Sequence, residues 1–309
     1  MVILGMALGL LVISWALHRI LRRRERSSLD PLGVMVTVNE HKMSVFVSGN
    51  DTKSLTLVFL SGGGTCAPIL DFASLFTLFE QEYQIAVVER SGYGFSEDSS
   101  VDRDIETILF ESREALRLAG VKNRLVLFPH SLSGLESLVW ANKYPGEVHA
   151  IIGLDPTVPS IHAYASHAVF PLLVMNMLAE LGIFRWVPIV NQAAAIRCGT
   201  LGIQEKRLYR ALFNQRLLSH SMLLEVRQIK VNAEKTMKMD QAPFPLLYFI
   251  SDGSGTGFDK TRWQSTLIEY VQAKGGSFKL LPCSHYVHSI KYQEIYEQSR
   301  RFLQSLSDR

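Results

Sequence analysis

The sequence predicts an α/β protein: a mostly parallel eight-stranded sheet flanked by helices, carrying a helical cap insertion and preceded by an N-terminal transmembrane helix. Three observations lead there. Short apolar runs rich in β-branched residues alternate with longer segments of helical spacing, as in a parallel sheet covered on both faces. The stretch from Thr157 to Gln241 breaks that alternation, with no clear strand and many leucines and methionines. Val2 to Leu17 contains no charged residue at all.

The first segment, residues 1–21, has the length of an anchor. Ile20 and Leu21 extend its apolar character past His18 and Arg19. About 20 helical residues at 1.5 Å each cover roughly the 30 Å of a bilayer core. A cleaved signal peptide would put positive charge before the apolar run and a small-residue cleavage site after it, and neither is present. The arginines Arg22, Arg23, Arg24 and Arg26 lie after the span, so the positive-inside bias directs the folded part to the cytoplasm. Residues 22–32 read as a basic linker and 33–309 as the globular domain.

Within that domain Val34–Val38 and Met43–Val47 flank Asn39-Glu40-His41-Lys42, the pattern of an antiparallel hairpin. Leu55–Leu60, Ile85–Val88, Leu125–Phe128 and Ala150–Leu154 are the next four strands. Helical spacing occupies Pro68–Gln81, Asp104–Ala119 and Leu132–Tyr144 between them. After the insertion, about 157–241, come strands at Leu246–Ser251 and Ser277–Leu281, with helices over Lys260–Ala273 and Ser289–Leu306. The insertion reads as a helical subdomain over one edge of the sheet. Its methionines suit a lid over an apolar substrate, since thioether side chains adapt to irregular shapes.

With 309 residues and 47% hydrophobic content, the chain can bury a large core. Its net charge of +3 is accounted for by residues 1–30, where five arginines face Glu25 and Asp30. The folded part is therefore balanced, which argues against a nucleic-acid partner. The three cysteines, Cys66, Cys198 and Cys283, match no zinc or redox spacing. Gly253-Ser-Gly255-Thr-Gly257 follows a strand but fits neither dinucleotide nor Walker spacing.

Chemistry-bearing residues cluster after the strands. Leu60-Ser61-Gly62-Gly63-Gly64 offers unhindered backbone N–H groups. Ser131 sits where an apolar run ending at Pro129 gives way to a helix, a turn that lifts its hydroxyl above the sheet. Ser133 is the rival serine, but its flanking position Leu135 is not small. Asp155 closes the sixth strand, and His285 and His288 follow the eighth. In parallel α/β sheets, ligands gather beyond the carboxyl ends of the strands, where all of these lie.

Together these features resemble the α/β-hydrolase family over essentially all of residues 33–306. Pro129-His-Ser-Leu-Ser-Gly134 is similar to the family's Gly-His-Ser-Leu-Gly-Gly elbow, with Pro129 and Ser133 in place of glycines. Pro129 removes a ladder N–H, which implies that strand pairing has ended there. The resemblance implies Ser131 as nucleophile and His285, in the small-residue-His pair Ser284-His285, as its base. It implies an oxyanion hole from the N–H groups of Gly63 and Leu132, although Ser61 replaces the usual histidine of the loop. Two positions are open for the acid. Asp155 matches the arrangement of haloalkane dehalogenases, which also carry a helical cap, and Asp252 stands after the seventh strand, the family's usual place. The implied reaction is hydrolysis of an ester-like bond with neither cofactor nor metal, and the lid composition points to a small-molecule substrate with a small or medium apolar acyl group. The related epoxide hydrolases and dehalogenases need a carboxylate nucleophile, against which Ser131 argues. The alternative is a non-catalytic binding protein of the same fold at the membrane lipid surface.

Overall fold

Strict alternation along the strands builds this core. In the computed structural model, which describes residues 2–52, 54–163, 169–239 and 244–307, neighbouring strand residues go to opposite layers. Leu57, Phe59, Val126, Phe128, Ile152 and Phe249 enter one apolar cluster, whereas Val58, Leu60, Leu127, Ile151, Tyr248 and Ile250 enter the other. Such near-continuous hydrophobic runs belong to strands buried on both faces.

The described strands are β1 (Val34–Val38), β2 (His41–Gly49), β3 (Leu55–Leu60), β4 (Gln84–Glu89), β5 (Arg124–Ser131), β6 (Val148–Pro156), β7 (Leu246–Ile250) and β8 (Ser277–Leu280). They form one eight-stranded sheet in the order β1-β2-β4-β3-β5-β6-β7-β8. β2 is antiparallel to β1 and β4, and the other pairs are parallel. The first hairpin closes at Asn39 and Glu40, with φ of 47° and 65°. Two successive left-handed residues are what a tight turn between twisted strands requires.

The helices are α1 (Val2–Ser28), α2 (Pro68–Phe76), α3 (Ile105–Leu118), α4 (Ser133–Lys143), α5 (Pro159–Ala163), α6 (Val169–Glu180), α7 (Ile183–Trp186), α8 (Ala194–Arg197), α9 (Ile203–Arg216), α10 (His220–Met239), α11 (Lys260–Ala273), α12 (Val287–Ile290) and α13 (Tyr292–Ser307). α3, α4 and α11 contribute to one face cluster, while α2, α12 and α13 contribute to the other. Asp104 starts α3 by accepting from the N–H groups of Glu106 and Thr107, which satisfies two otherwise orphan donors. Helices α5 to α10 form the cap between β6 and β7. Its expected end at Gln241 and the insertion's His167 lie outside the described residues, as does Arg309 at the expected domain end.

Two expectations change. The helix expected to end at residue 21 continues to Ser28, so most of the basic linker is helical. Arg22 pairs with Glu180 and Glu25 with Arg185, which anchors that extension to the cap. β5 also runs past Pro129 to Ser131, although the proline was expected to mark the end of pairing. Pro129 stands opposite Leu60 at the last residue of β3, and no β6 partner is in register with it. The Leu60 carbonyl instead accepts from Ser133 Oγ at 2.7 Å, so a side chain completes the ladder's end.

Candidate active site

Ser131 ends β5 with φ of 53°, a left-handed conformation that costs a non-glycine residue about 1–3 kcal/mol. Surrounding contacts hold it there. Its carbonyl accepts from Thr157 N at 2.8 Å, and a register shift between His130 and Ser131 sets it opposite Pro156. Gly134 packs so closely on Thr157 that a Cβ would strike the Thr157 carbonyl. A Cβ on Gly62 would come 2.7 Å from Ser131 Cβ, so the loop after β3 also presses against the elbow. The Ser131 hydroxyl has no hydrogen bond among the described residues, and it lines a cavity. Ser133 differs. Fully buried, it directs its hydroxyl at the carbonyls of Leu60 and His130.

His285 lines the same cavity. Its Nδ1 donates to Asp155 Oδ2 at 2.6 Å. A carboxylate can only accept there, so Nε2 is left without a proton in the neutral ring and faces no partner among the described residues. Asp155 ends β6 with φ of 52° and is completely buried. Ser251 N donates to its Oδ1 at 2.7 Å, Trp263 Nε1 to the same oxygen at 2.9 Å, and Ser251 Oγ to Oδ2 at 2.6 Å. Four donors on one carboxylate replace the water it lost. Asp252 is held elsewhere, accepting from Ser254 N in its own turn, and Asp259 accepts from Arg262 N at the start of α11. Of the two candidate acids, the structure brings Asp155 to His285.

Two further histidines surround His285. His130 Nε2 donates to the His285 carbonyl at 3.3 Å, and the His130 ring lies 4.6 Å from both His285 and His288. Burial holds His130 well below the usual histidine range, and burial with the nearby His285 lowers His288 to about 3. Both stay neutral near pH 7, so neither repels an imidazolium at His285.

The backbone N–H groups of Gly63 and Leu132 donate to nothing among the described residues, and both residues line the cavity. Arg90 positions the first of them. Its guanidinium donates to the carbonyls of Ser61 at 2.8 Å and Gly62 at 3.2 Å. In a planar trans peptide the C=O and the following N–H point opposite ways, so capture of the Gly62 carbonyl turns the Gly63 N–H away from Arg90. Tyr93 OH accepts from Gly64 N and donates to Glu225 Oε2 at 2.6 Å, and Glu225 also faces Arg90 at 3.6 Å.

The cavity measures about 490 Å³, within the range of small-molecule sites. The cap adds Pro171, Leu172, Met222, Val226 and Ile229 to its wall. His162, which also lines it, shares a 2.8 Å hydrogen bond with Thr157. The loop with Gly253 and Gly257 reaches the cavity through Thr256 and Gly257. Sequence reading assigned no role to Ser251, Trp263, Arg90 or Glu225. Only Arg90 and Ser251 left a local signal, each standing directly after a strand on the ligand-facing edge.

No family model matches this chain. It is 32% identical over 297 residues to the uncharacterized protein YbdG of Bacillus subtilis (strain 168), across 94% of this chain and 91% of that protein. Among solved structures it is similar to a Pseudomonas aeruginosa protein provisionally described as an epoxide hydrolase. The TM-score is 0.70 at 17% identity, covering 91% of this chain and 99% of that one. It is also similar to Bacillus megaterium epoxide hydrolase in complex with an inhibitor, with a TM-score of 0.66 at 18% identity over 88% and 100% of the two chains. At such identities the likeness is one of architecture, whereas the match to YbdG is one of descent. The chain therefore belongs to the family of YbdG, and its fold is the α/β-hydrolase fold.

Proposed function

We propose that this protein is a membrane-anchored serine hydrolase that cleaves an ester-like bond through an acyl-enzyme. One observation carries the reading: Ser131 is held at φ of 53° over a cavity that also receives His285, itself bonded to a buried Asp155. In this reading His285 Nε2 takes the Ser131 proton as Oγ attacks the carbonyl carbon. The N–H groups of Gly63 and Leu132 stabilise the oxyanion, and Asp155 holds the tautomer and the imidazolium. His285 then returns the proton to the leaving alcohol. Water, activated by the same nitrogen, releases the acyl group and regenerates Ser131. The apolar cap wall supports an apolar acyl substrate, and α1 supports attachment to a membrane.

The architecture shared with epoxide hydrolases suggests a second reaction, which the nucleophile opposes. A carboxylate opening an epoxide makes an ester that water then cleaves at its carbonyl. Serine would make an ether, with no carbonyl to attack, and the enzyme would stop after one turnover.

A fluorophosphonate probe tests the proposal. Wild-type protein should be labelled, and Ser131→Ala should not. Labelling that survives Ser131→Ala would refute the nucleophile, and an unlabelled wild type would favour the non-catalytic binding protein.

A further inference from the structure

α1 is, among the described residues, the one helix long and apolar enough to cross a membrane, yet its apolar length is not free. Ser14 Oγ donates to the Leu181 carbonyl at 2.8 Å and accepts from Trp186 Nε1 at 2.9 Å. His18 packs on Gly182 and accepts from Arg185 Nε at 2.9 Å. Arg185 then forks onto Glu25 with two hydrogen bonds, and Arg22 pairs with Glu180. From Ser14 onward the helix is fastened to α6, α7 and their connecting turn. Val2 to Ile13 alone projects beyond the cap, and at 1.5 Å per residue that is about 18 Å. A bilayer core is about 30 Å thick, so a spanning α1 brings the docked part of the cap into the membrane as well.

The cap surface at that level has the matching composition. Phe170, Met177, Trp186, Val187 and Ile189 are 75%, 55%, 61%, 51% and 43% exposed. Between Val169 and Ile189 the only charged residues are Glu180 and Arg185, and both pair with α1. An apolar patch free of unpaired charge, continuous with an exposed apolar helix, is unusual on a protein surrounded by water. α6 also carries Pro171 and Leu172 in the cavity wall, so one helix stands between the patch and the candidate active site.

We propose that the α6–α7 face of the cap is immersed in the lipid bilayer, and that the cavity draws its acyl substrate from the membrane beside α6. This deepens the hydrolase reading and rests on it for the substrate, while immersion itself rests on the anchor. The occupant is lipid: the patch borders the span, because the largely exposed Trp186 is bonded to Ser14 of α1.

The test uses the full-length chain with Cys198→Ser, reconstituted into phosphatidylcholine and phosphatidylglycerol vesicles. A nitrobenzoxadiazole dye is attached at Val187→Cys or, as control, at Leu118→Cys on the far side of the sheet. The Val187→Cys label should emit at shorter wavelength and be quenched by nitroxide-bearing acyl chains, and the Leu118→Cys label should not. Equal, water-like emission from both labels in co-floating protein would overturn immersion and leave the anchor standing. Failure to co-float with vesicles after a carbonate wash would overturn the anchor and the proposal together. A shift at Val187→Cys that persists in detergent and grows with protein concentration would assign the patch to a second copy of this chain.

Substrate access has its own arm. The double variant Phe170→Asp/Val187→Asp should lose about tenfold in kcat/KM on a long-chain ester carried in vesicles, because aspartate resists the apolar zone. It should stay within about twofold on a water-soluble butyrate ester, since neither residue lines the cavity. An equal fall on both esters would overturn access from the membrane. Absence of turnover on either ester in wild-type protein would refute the hydrolase reading and with it substrate access, while the dye still reports immersion.

Discussion

Replacing Asp155 by asparagine inverts the hydrogen-bond logic at one point while nearly preserving shape. Oδ1 accepts from Ser251 N and Trp263 Nε1, two N–H donors that cannot reverse. Asparagine must therefore keep its carbonyl oxygen on that side, because the other orientation would aim its NH2 at both donors. The NH2 then occupies the place of Oδ2, facing His285 Nδ1 and Ser251 Oγ. Ser251 can adapt, since a hydroxyl both donates and accepts. His285 cannot without moving its proton: Nδ1 must accept, which puts the hydrogen on Nε2 and leaves no base for Ser131. Together with the lost stabilisation of the imidazolium, this should lower kcat by about 10³–10⁴-fold, or roughly 4–5 kcal/mol of barrier. The fold should survive, since the two immobile N–H donors keep their acceptor. Asp252→Asn should change kcat less than about threefold, because Asp252 serves only its own turn. Turnover of an activated ester by both variants, with thermal midpoints alongside, decides the matter. A folded Asp155→Asn enzyme with near wild-type kcat, or a larger loss at Asp252→Asn, would refute the reasoning.

Two further predictions concern buried polar groups. Ser133→Ala should retain fluorophosphonate labelling but lose about 1–2 kcal/mol of stability, because the carbonyls of Leu60 and His130 lose their shared donor. Loss of labelling in a folded Ser133→Ala protein would return that serine to candidacy. Burial raises Asp71 from an ordinary 3.8 to about 7, only partly offset by the hydroxyl of Tyr209. The native state therefore holds a proton that the unfolded chain releases. This contribution is full below about pH 4 and is lost as pH rises to about 7. Asp71→Asn should match wild type near pH 4 and exceed its thermal midpoint at pH 8, with a ceiling of order 4 kcal/mol. Equal midpoints at both pH values would show that Asp71 is ionised at little cost.

The legible parts of this chain were those written in local sequence. Strand alternation, turn residues and helix caps depend on near neighbours, so the strand order in sequence, the hairpin and α11 over Lys260–Ala273 agree closely with expectation. Ser131, Asp155 and His285 could be proposed because each immediately follows or ends a strand, and topology carries strand ends to one edge. What escaped notice depends on distant pairing. Trp263 meets Asp155 across 108 residues, and Glu225 meets Tyr93 across 132, with no short-range pattern to announce either. The choice between Asp155 and Asp252 was open for the same reason: both stand at strand ends, and only the long-range arrangement distinguishes them. The extension of β5 through Pro129 was missed because a proline lacks a ladder donor, yet the Ser133 hydroxyl supplies one at that edge. Ser14 and His18 did leave a trace, as two polar residues four apart near the end of the apolar run, where they share one helix face.

The buried ions around Arg90 are hard to explain as stabilisers of the fold. Arg90, Glu136 and Glu225 are each almost wholly withdrawn from water, with ion-pair distances of 3.8 and 3.6 Å. Each buried charge costs several kcal/mol in lost hydration, and such clusters are often matched or bettered by apolar packing. Their placement is more telling. Arg90 grips the carbonyls of Ser61 and Gly62 from the sheet side, while Glu225 reaches the same cluster from α10 in the cap. Displacing α10 would strand the Tyr93 hydroxyl and leave Arg90 with fewer counter-charges. It would also loosen the peptide that aims the Gly63 N–H at the cavity. Cap position and the candidate oxyanion loop are therefore joined through one buried charge cluster.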